Sequence, residues 1–502
     1  MLTDGDPRLL RVADPVVKDD PDLPLHIDLV AACLMEVRAW LGFGRAIAAP
    51  QLGIPRRLIV MDLGAGPVAF VNPEITWRSA DMHLVWDDCF SIPRHLSHVE
   101  RHRSISLRYH DRHFNECVWP RLPEDMAELL QHEIDHLDGI LMTQRAAGPG
   151  AIAPISERQR LPAPQRTARR ITLDGIIRSR GRIESVFLNA PQFDCETLSA
   201  ALGCHVLLKV ETVNPVRSFK GRGASFFVRE LAAARPNLTL VAASAGNWGQ
   251  ALSYCCRAEG MPLIVYAAIG ASQLKVERMR ALGARVRLHG EDFDAAKAEA
   301  RRFVTSAAAD RNGEHLFVED GLETRITEGH GTIAMEMIED ASRPGTHLDA
   351  VVVPLGNGAL LNGVARWMKA TSPATRSIGV CAHGAPSMRD SWLRGRHSTP
   401  ILYQSVETIA DGIAIRTPIS EAVEDMFEVV DDVVQVSDEH IRGAMRLVLR
   451  HAGLVLEPSG AVGIAAILAH PAAFRALRIG CILSGGNMTV EEALRVARAQ
   501  EL

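Results

Sequence analysis

The sequence predicts a chain of two unlike parts: an α+β unit over residues 1–147, then an α/β unit built on parallel sheets over residues 176–502. Three observations lead there. In the first part, helical periods and strand-like stretches are mixed without a repeating order. In the second, short apolar stretches and helical segments take turns, the pattern of βαβ units. Between them, residues 148–175 are rich in Gly, Pro, Ala and Arg with no sustained period, the composition of a linker.

In chain order, IDLVAACLMEVRAWL and PEDMAELLQHEIDHL repeat apolar residues at helical spacing. RRLIVMDL, AFVNPEITW and SISLRYHD alternate and are β-branched, as strands are. Past the linker, HVLLKVE, TLVAAS, PLIVYAA, RVRLHG, AVVVPLG, SIGVCA and GCILSG read as strands separated by helices. Several of them run straight into glycine-rich turns, where α/β proteins place their ligands. The two parts do not look alike, and no internal repeat is visible.

At about 100–200 residues per domain, this length corresponds to roughly three structural domains. Apolar residues make up 47% and charged residues 23%, ordinary for a globular protein. A net charge of −5 argues against a nucleic-acid face or a membrane-surface patch. MLTDGDPRLL lacks the basic and apolar regions of a secretory signal, and no apolar run is long enough to span a bilayer. Nine cysteines, mostly within apolar segments, suit a reducing cytoplasm better than a disulfide framework.

QHEIDHLDG, residues 131–139, contains H-E-x-x-H. On a helix, His132 and His136 stand one turn apart and can bind one metal ion, with Glu133 beside them as general acid/base. Two surface histidines would fit the same spacing. WDDCFSIP places Cys89 after a strand as a third ligand, and one Cys with two His leaves a position open for a reactive water. A buried free cysteine is the plainer alternative.

GRAIAAPQ (44–51), DDCFS (87–91) and QHEIDHLDG, in that order, resemble the peptide deformylases, as do GDPRLLRVADPV and FVNPEI. The resemblance covers residues 1–145. It implies that Cys89, His132 and His136 hold a divalent metal, Fe²⁺ in many members, with Zn²⁺ or Ni²⁺ as alternatives. Glu133 would take the proton of the metal-bound water and pass it to the departing amine. The Gln51 side chain and the Phe90 N–H would stabilise the oxyanion. The chain departs from the family pattern at Ala46 (usually Gly), at Asp87-Asp88 (usually Glu-Gly) and at Phe90 (usually Leu). Those changes imply an altered pocket, in which ordinary formyl-methionyl peptides are doubtful substrates.

NPVRSFKGRGA sets Lys220 among small residues, where a lysine can form a Schiff base with an aldehyde cofactor. SAGNWGQA (244–251) and PLGNGAL (354–360) each join a strand to a helix, so that glycines and helix N-terminal N–H groups can meet a carboxylate or a phosphate. ILSGGNM (482–488) is a third such turn. Any one of these could be only a tight turn. SFKGRG, SAGNWGQ, GHGTIAMEM, PLGNG, LEPSGA and LSGGN in this order resemble the pyridoxal-phosphate (PLP) enzymes of fold type II, the tryptophan-synthase-β-like group, and within it the serine/threonine dehydratases. The resemblance covers residues 176–500 and implies a large and a small subdomain.

It further implies that Lys220 carries PLP and then acts as the base at the substrate α-carbon. Asn247 would bond the cofactor's 3-hydroxyl, and Gly356, Asn357, Gly358 and Ala359 its phosphate. Ser484 would face the pyridine nitrogen; a neutral serine there favours β-elimination or replacement. Ser244, Ala245 and Asn247 would line the substrate carboxylate. GNGA replaces the usual run of glycines, and Ala245 stands where racemases carry an acid/base serine, which disfavours racemisation. Glu457 fits either a place near the cofactor or a structural turn. Cys255 and Cys256 read as core, and Arg217 as a surface charge.

The expected function is bifunctional: hydrolysis of an N-formyl group, then PLP-dependent elimination of ammonia from a small hydroxy amino acid. Deformylation frees the α-amine that PLP chemistry requires. Two alternatives stand beside it: β-replacement of the cysteine-synthase kind, and a dehydratase with a deformylase-like part that only binds. No nucleic acid or membrane partner is expected. By resemblance the chain is a homodimer. Its end shortly after LSGGN leads us to expect no appended regulatory domain.

Overall fold

The computed structural model describes residues 1–41, 44–62, 67–122, 124–148, 150–155, 170–309, 314–341, 347–396, 398–427 and 429–498. It divides into two compact units, Met1–Arg169 and Arg170–Leu502.

The first unit is antiparallel. Its strands are β1 (Ala46–Ala48), β2 (Leu58–Asp62), β3 (Pro67–Arg78), β4 (Met82–Asp87), β5 (His95–His102), β6 (Ile105–His110), β7 (Glu116–Trp119) and β8 (Ile152–Pro154). They form one sheet in the order β1-β2-β3-β6-β7 and a second in the order β4-β5-β8. Helix Leu23–Leu41 packs on the first sheet, where Val30, Leu34, Ile47, Leu58 and Val60 close a core. Helix Glu124–Leu137 is sharply two-faced and carries H-E-x-x-H on its buried side.

The second unit is mainly parallel. Its strands are β9 (Gln192–Asp194), β10 (His205–Val210), β11 (Thr239–Ala243), β12 (Leu263–Ala267), β13 (Arg285–Leu288), β14 (His315–Phe317), β15 (Ala350–Pro354), β16 (Arg376–Ala382), β17 (Asp432–Val436) and β18 (Arg478–Leu483). Six form the sheet β17-β16-β15-β18-β10-β9, and four the sheet β13-β12-β11-β14. Only β9 runs antiparallel, against β10. Helices cover the parallel strands, which is why β12 and β15 are apolar without alternation and buried at every residue.

Residues 156–169 of the expected linker lie outside the described residues. Its two ends are structured. Ile152–Pro154 adds a third strand to β5, and a helix starts at Leu173 on the side-chain cap of Thr172. Three residues are too few to show a strand period in sequence, which is why this edge read as linker.

Candidate active sites

In the first unit, the loop after β4 delivers Cys89 and one face of helix Glu124–Leu137 delivers His132 and His136. All three are buried, and their ligand atoms lie within 4.8 Å of one another. Cys89 Sγ is 3.2 Å from His136 Nε2, and the two imidazoles meet edge to face. A thiolate and two imidazoles at this spacing are a donor set that fits a divalent metal with a coordination position left open.

The surrounding residues orient that set. His132 Nδ1 lies 3.0 Å from Asp87 Oδ2, which leaves Nε2 as the nitrogen that could take a metal. Arg101 donates to the same Asp87 oxygen at 2.8 Å and to Asp135 at 2.5 Å. Burial opposes the charge on Asp87, yet His132 and Arg101 outweigh it and hold the carboxyl well below the ordinary carboxylate range. Burial likewise opposes the charge on His132, and Asp87 overrides it, so that pKa is raised well above the usual imidazole value. His136 moves the other way, pushed down by burial and by the charge on His132. Asp87, which in the sequence looked only like a departure from pattern, is thus the carboxylate that sets the His132 ring.

Gln51 is anchored by the Ala48 N–H, which donates to its carbonyl at 3.0 Å. Its amide is thereby turned toward Cys89 Sγ, 3.7 Å away, and Ser91 Oγ. Burial raises the Glu133 carboxyl to about 7, with the charge of His132 pulling the other way. The Phe90 ring packs beside Gly44 (a Cβ there would meet its Cζ at 2.5 Å) and joins the apolar cluster under helix Leu23–Leu41. The bulk of Phe90 is therefore absorbed by the core.

In the second unit, the functional turns gather at the carboxyl ends of the parallel strands. Lys220 opens helix Lys220–Ala234. The Ser218–Gly485 bridge and the 3.0 Å bond from the Phe219 N–H to the Ser484 carbonyl bring that helix start against the end of β18. Ser484 Oγ makes one long contact, 3.5 Å to the Ser459 carbonyl. Ser244 Oγ accepts from the Gly249 N–H at 2.9 Å and the Gly246 N–H at 3.2 Å, closing the turn that holds Ala245 and starts helix Asn247–Ala258. After β15, Gly356, Asn357 and Gly358 lead into helix Ala359–Thr371. Gly358 takes φ of +95°, a conformation that glycine reaches at low cost, and caps the start of that helix, whose first N–H groups can receive an anion.

Asn247 is fixed from both sides. Its amide donates to Glu457 Oε1 at 2.5 Å, and its oxygen accepts from Asn487 at 2.8 Å. That places Glu457 beside the expected cofactor residues, at the N-cap of helix Pro458–Ala469. Burial lifts its carboxyl to about 7 against the pull of Lys275. Buried Oδ1 of Asp320, Oε2 of Glu457 and Oγ of Ser459 have no partner among the described residues. A lysine and a helix N-terminus fit an aldehyde cofactor that carries a phosphate, and the unpartnered carboxylate oxygens fit a ligand that also brings hydrogen-bond donors.

Sequence reasoning passed over Asp320, Asn487 and Asp87. Each acts through a partner distant in the chain, and no local spacing announces it. Lys220 donates to Asp320 across 100 positions. Arg217 is exposed, as expected, and its carbonyl accepts from the Gly486 N–H. Cys255 and Cys256 lie in the apolar core of the four-stranded half, and burial raises both thiols, Cys256 to about 12. No described helix is long and apolar enough to cross a membrane.

Residues 183–485, more than half of the chain, match the family model of pyridoxal-phosphate dependent enzymes, and the protein belongs to that family. Residues 1–150 match the polypeptide deformylase model. Among relatives, the chain is 32% identical over 326 residues to L-threonine ammonia-lyase of Thermotoga maritima, covering 65% of this chain and 78% of that one. It is 32% identical to serine racemase of Bos taurus, covering 62% and 91%. The solved structure of processed threonine deaminase isoform 2 from Solanum lycopersicum superposes with a TM-score of 0.58 at 28% identity, over 64% of this chain and 86% of that one. The protein is thus a PLP enzyme similar to threonine dehydratases, preceded by a deformylase-like unit.

Proposed function

We propose that the chain is a bifunctional enzyme that removes the formyl group from a small N-formyl amino acid and then eliminates ammonia from a serine- or threonine-like amino acid. The observation that carries the second activity is the convergence of Lys220, the Gly356–Ala359 turn, Asn247 and Ser484 at one end of parallel strands. The family supplies the cofactor, and similarity to threonine ammonia-lyases supplies the reaction class.

When bound, PLP withdraws electrons from the substrate α-carbon. In this proposal Lys220 holds it and afterwards takes the α-proton. Gly356, Asn357, Gly358 and Ala359 receive its phosphate, Asn247 orients its 3-hydroxyl, and Ser484 meets the ring nitrogen. Ser244, Ala245 and Asn247 receive the substrate carboxylate. Ala245 offers no acid or base on the opposite face, which favours elimination over racemisation.

The first activity is supported by the Cys89–His132–His136 set, which would hold a divalent metal. A bound metal supplies an acidified water and polarises the formyl oxygen. Glu133 moves the proton, and the Gln51 amide with the Phe90 N–H steadies the oxyanion. Cytoplasmic residence fits the nine free cysteines.

The test separates the sites. Protein loaded with Fe²⁺ or Ni²⁺ and with PLP is offered small amino acids and their N-formyl forms. Glu133→Ala is expected to abolish formate release and leave ammonia release from free amino acids intact. Lys220→Ala is expected to do the reverse. No formate from the wild type, with ammonia release from free amino acids equal in wild type and Glu133→Ala, would show that the first unit only binds.

A further inference from the structure

We propose that Asp320 is a catalytic residue of the PLP site, sharing the proton carried by Lys220 and delivering it to the group that leaves the substrate β-carbon. The proposal rests on the β-elimination put forward above.

Asp320 follows β14 and is 4% exposed. Lys220 Nζ donates to its Oδ2, while Oδ1 is buried without a partner among the described residues. A buried carboxylate oxygen with no donor is costly, and a hydroxyl on the substrate β-carbon supplies one. The aim of this carboxylate is built into the fold. Asn357 Nδ2 donates to the Asp320 carbonyl at 2.6 Å. The next residue, Gly321, has φ of +95° and packs so closely that a Cβ there would come within 2.9 Å of the Asn357 carbonyl. Asn357 is the residue that interrupts the glycine run of the phosphate turn. The residue that departs from the glycine run thus has a structural role: Asn357 holds the Asp320 backbone, and with it the aspartate, against the lysine.

Other groups do not fill this role. Burial pushes His330 down to about 3, partly offset by the nearby Asp320, so it is neutral near pH 7 and carries no proton to give. Arg222 spends its guanidinium on Glu211 and Glu336. Glu457 is engaged with Asn247.

The step balances. The Cα–H bond breaks and its proton goes to the Lys220 nitrogen. The electron pair forms the Cα–Cβ double bond as the Cβ–O bond breaks. The oxygen leaves with that bond's pair and takes the same proton, passed from the Lys220 nitrogen through the Asp320 carboxylate. Water departs, and nothing is oxidised or reduced.

The experiment compares wild-type, Asp320→Asn and Asp320→Glu holoprotein on L-serine and on β-chloro-L-alanine, whose chloride leaves without a proton. Asp320→Asn is expected to lower kcat on serine by about 100-fold, the usual worth of a positioned acid, and to hold kcat on chloroalanine near wild type. Asp320→Glu, which keeps an acid, restores part of the serine rate. A second readout needs no turnover. Lys220 is paired with Asp320, and His330 lies close enough to feel its charge; the variants leave His330 in place. Losing the carboxylate is therefore expected to lower the pH midpoint of the bound-PLP absorbance change by about one unit. Equal losses on both substrates, or an unmoved midpoint, overturn the proposal in favour of a purely structural ion pair. If wild-type holoprotein eliminates from neither substrate, the β-elimination itself is wrong and delivery to a leaving group falls with it; the midpoint then decides whether Asp320 shares the Lys220 proton.

Discussion

Asp87 shows what a single side chain contributes around the first site. It accepts from Arg101 and faces His132 Nδ1, so it fixes the tilt of a ring proposed to hold a metal. Asp87→Ala is expected to weaken metal binding by about 10–100-fold, read by competition with a chromophoric chelator. Unchanged affinity would mean that His132 is held in place by packing alone. The Cys89–His132–His136 cluster was legible, because the three fall in short motifs whose spacing states the geometry. Lys220 and the glycine turns were legible for the same reason. Asp87 was visible only as an unusual letter, and Asp320 not at all, since the meaning of each depends on a residue 45 or 100 positions away. Sequence likewise left Glu457 open between two places. Its bond to Asn247, 210 residues distant, is what sets it beside the residues proposed to hold the cofactor.

At the scale of elements, the strongly apolar strands of the second unit, such as β11, β12 and β15, were readable because burial on both faces writes an unbroken apolar run. β4 was expected as the strand before Cys89, but β5 was not, because HLSHVERH hides its inward Leu96 and Val99 among histidines and charges. β8, β9 and β14 are three residues each, too short for any period. Helix packing was also invisible. Gly363 of helix Ala359–Thr371 lies so close to helix Thr324–Ala341 that a Cβ would overlap the Thr327 carbonyl. Gly363→Ala is expected to cost about 1–3 kcal/mol in forced separation of the two helices, seen as a lowered thermal midpoint. Gly443, inside helix Asp438–Ala452, has only Leu468 Cδ1 at 3.6 Å from such an atom. Gly443→Ala is expected to stabilise by up to about 1 kcal/mol. The same sign for both would show that helix propensity, not close approach, governs these positions.

Across the whole second unit, one buried charge cluster ties strand to helices. Glu336 accepts from Arg222 at 2.6 and 2.7 Å and from Lys209 at 2.5 Å, and Arg222 also grips Glu211. All four residues are at most 5% exposed. Removing one partner leaves an uncompensated buried charge, so Glu336→Gln is expected to cost about 3–5 kcal/mol. Burial alone would raise the Glu336 carboxyl, but Arg222 and Lys209 outweigh it and bring the pKa down from 4.5 to about 2. A depressed folded pKa means a stabilisation complete above about pH 4.5 and lost as pH falls toward 2. Acid unfolding followed by circular dichroism should show that loss in the wild type and a flatter profile over this window in Glu336→Gln. In the function proposed for the whole chain, two chemistries act in succession on one substrate. A time course with N-formyl-L-serine or N-formyl-L-threonine and fully loaded protein tests it most directly, following formate, ammonia and 2-oxo acid together. Formate appearing first, with ammonia and 2-oxo acid following, is the expected result. A 2-oxo acid from the free amino acids, with no formate from either formyl compound, would contradict it.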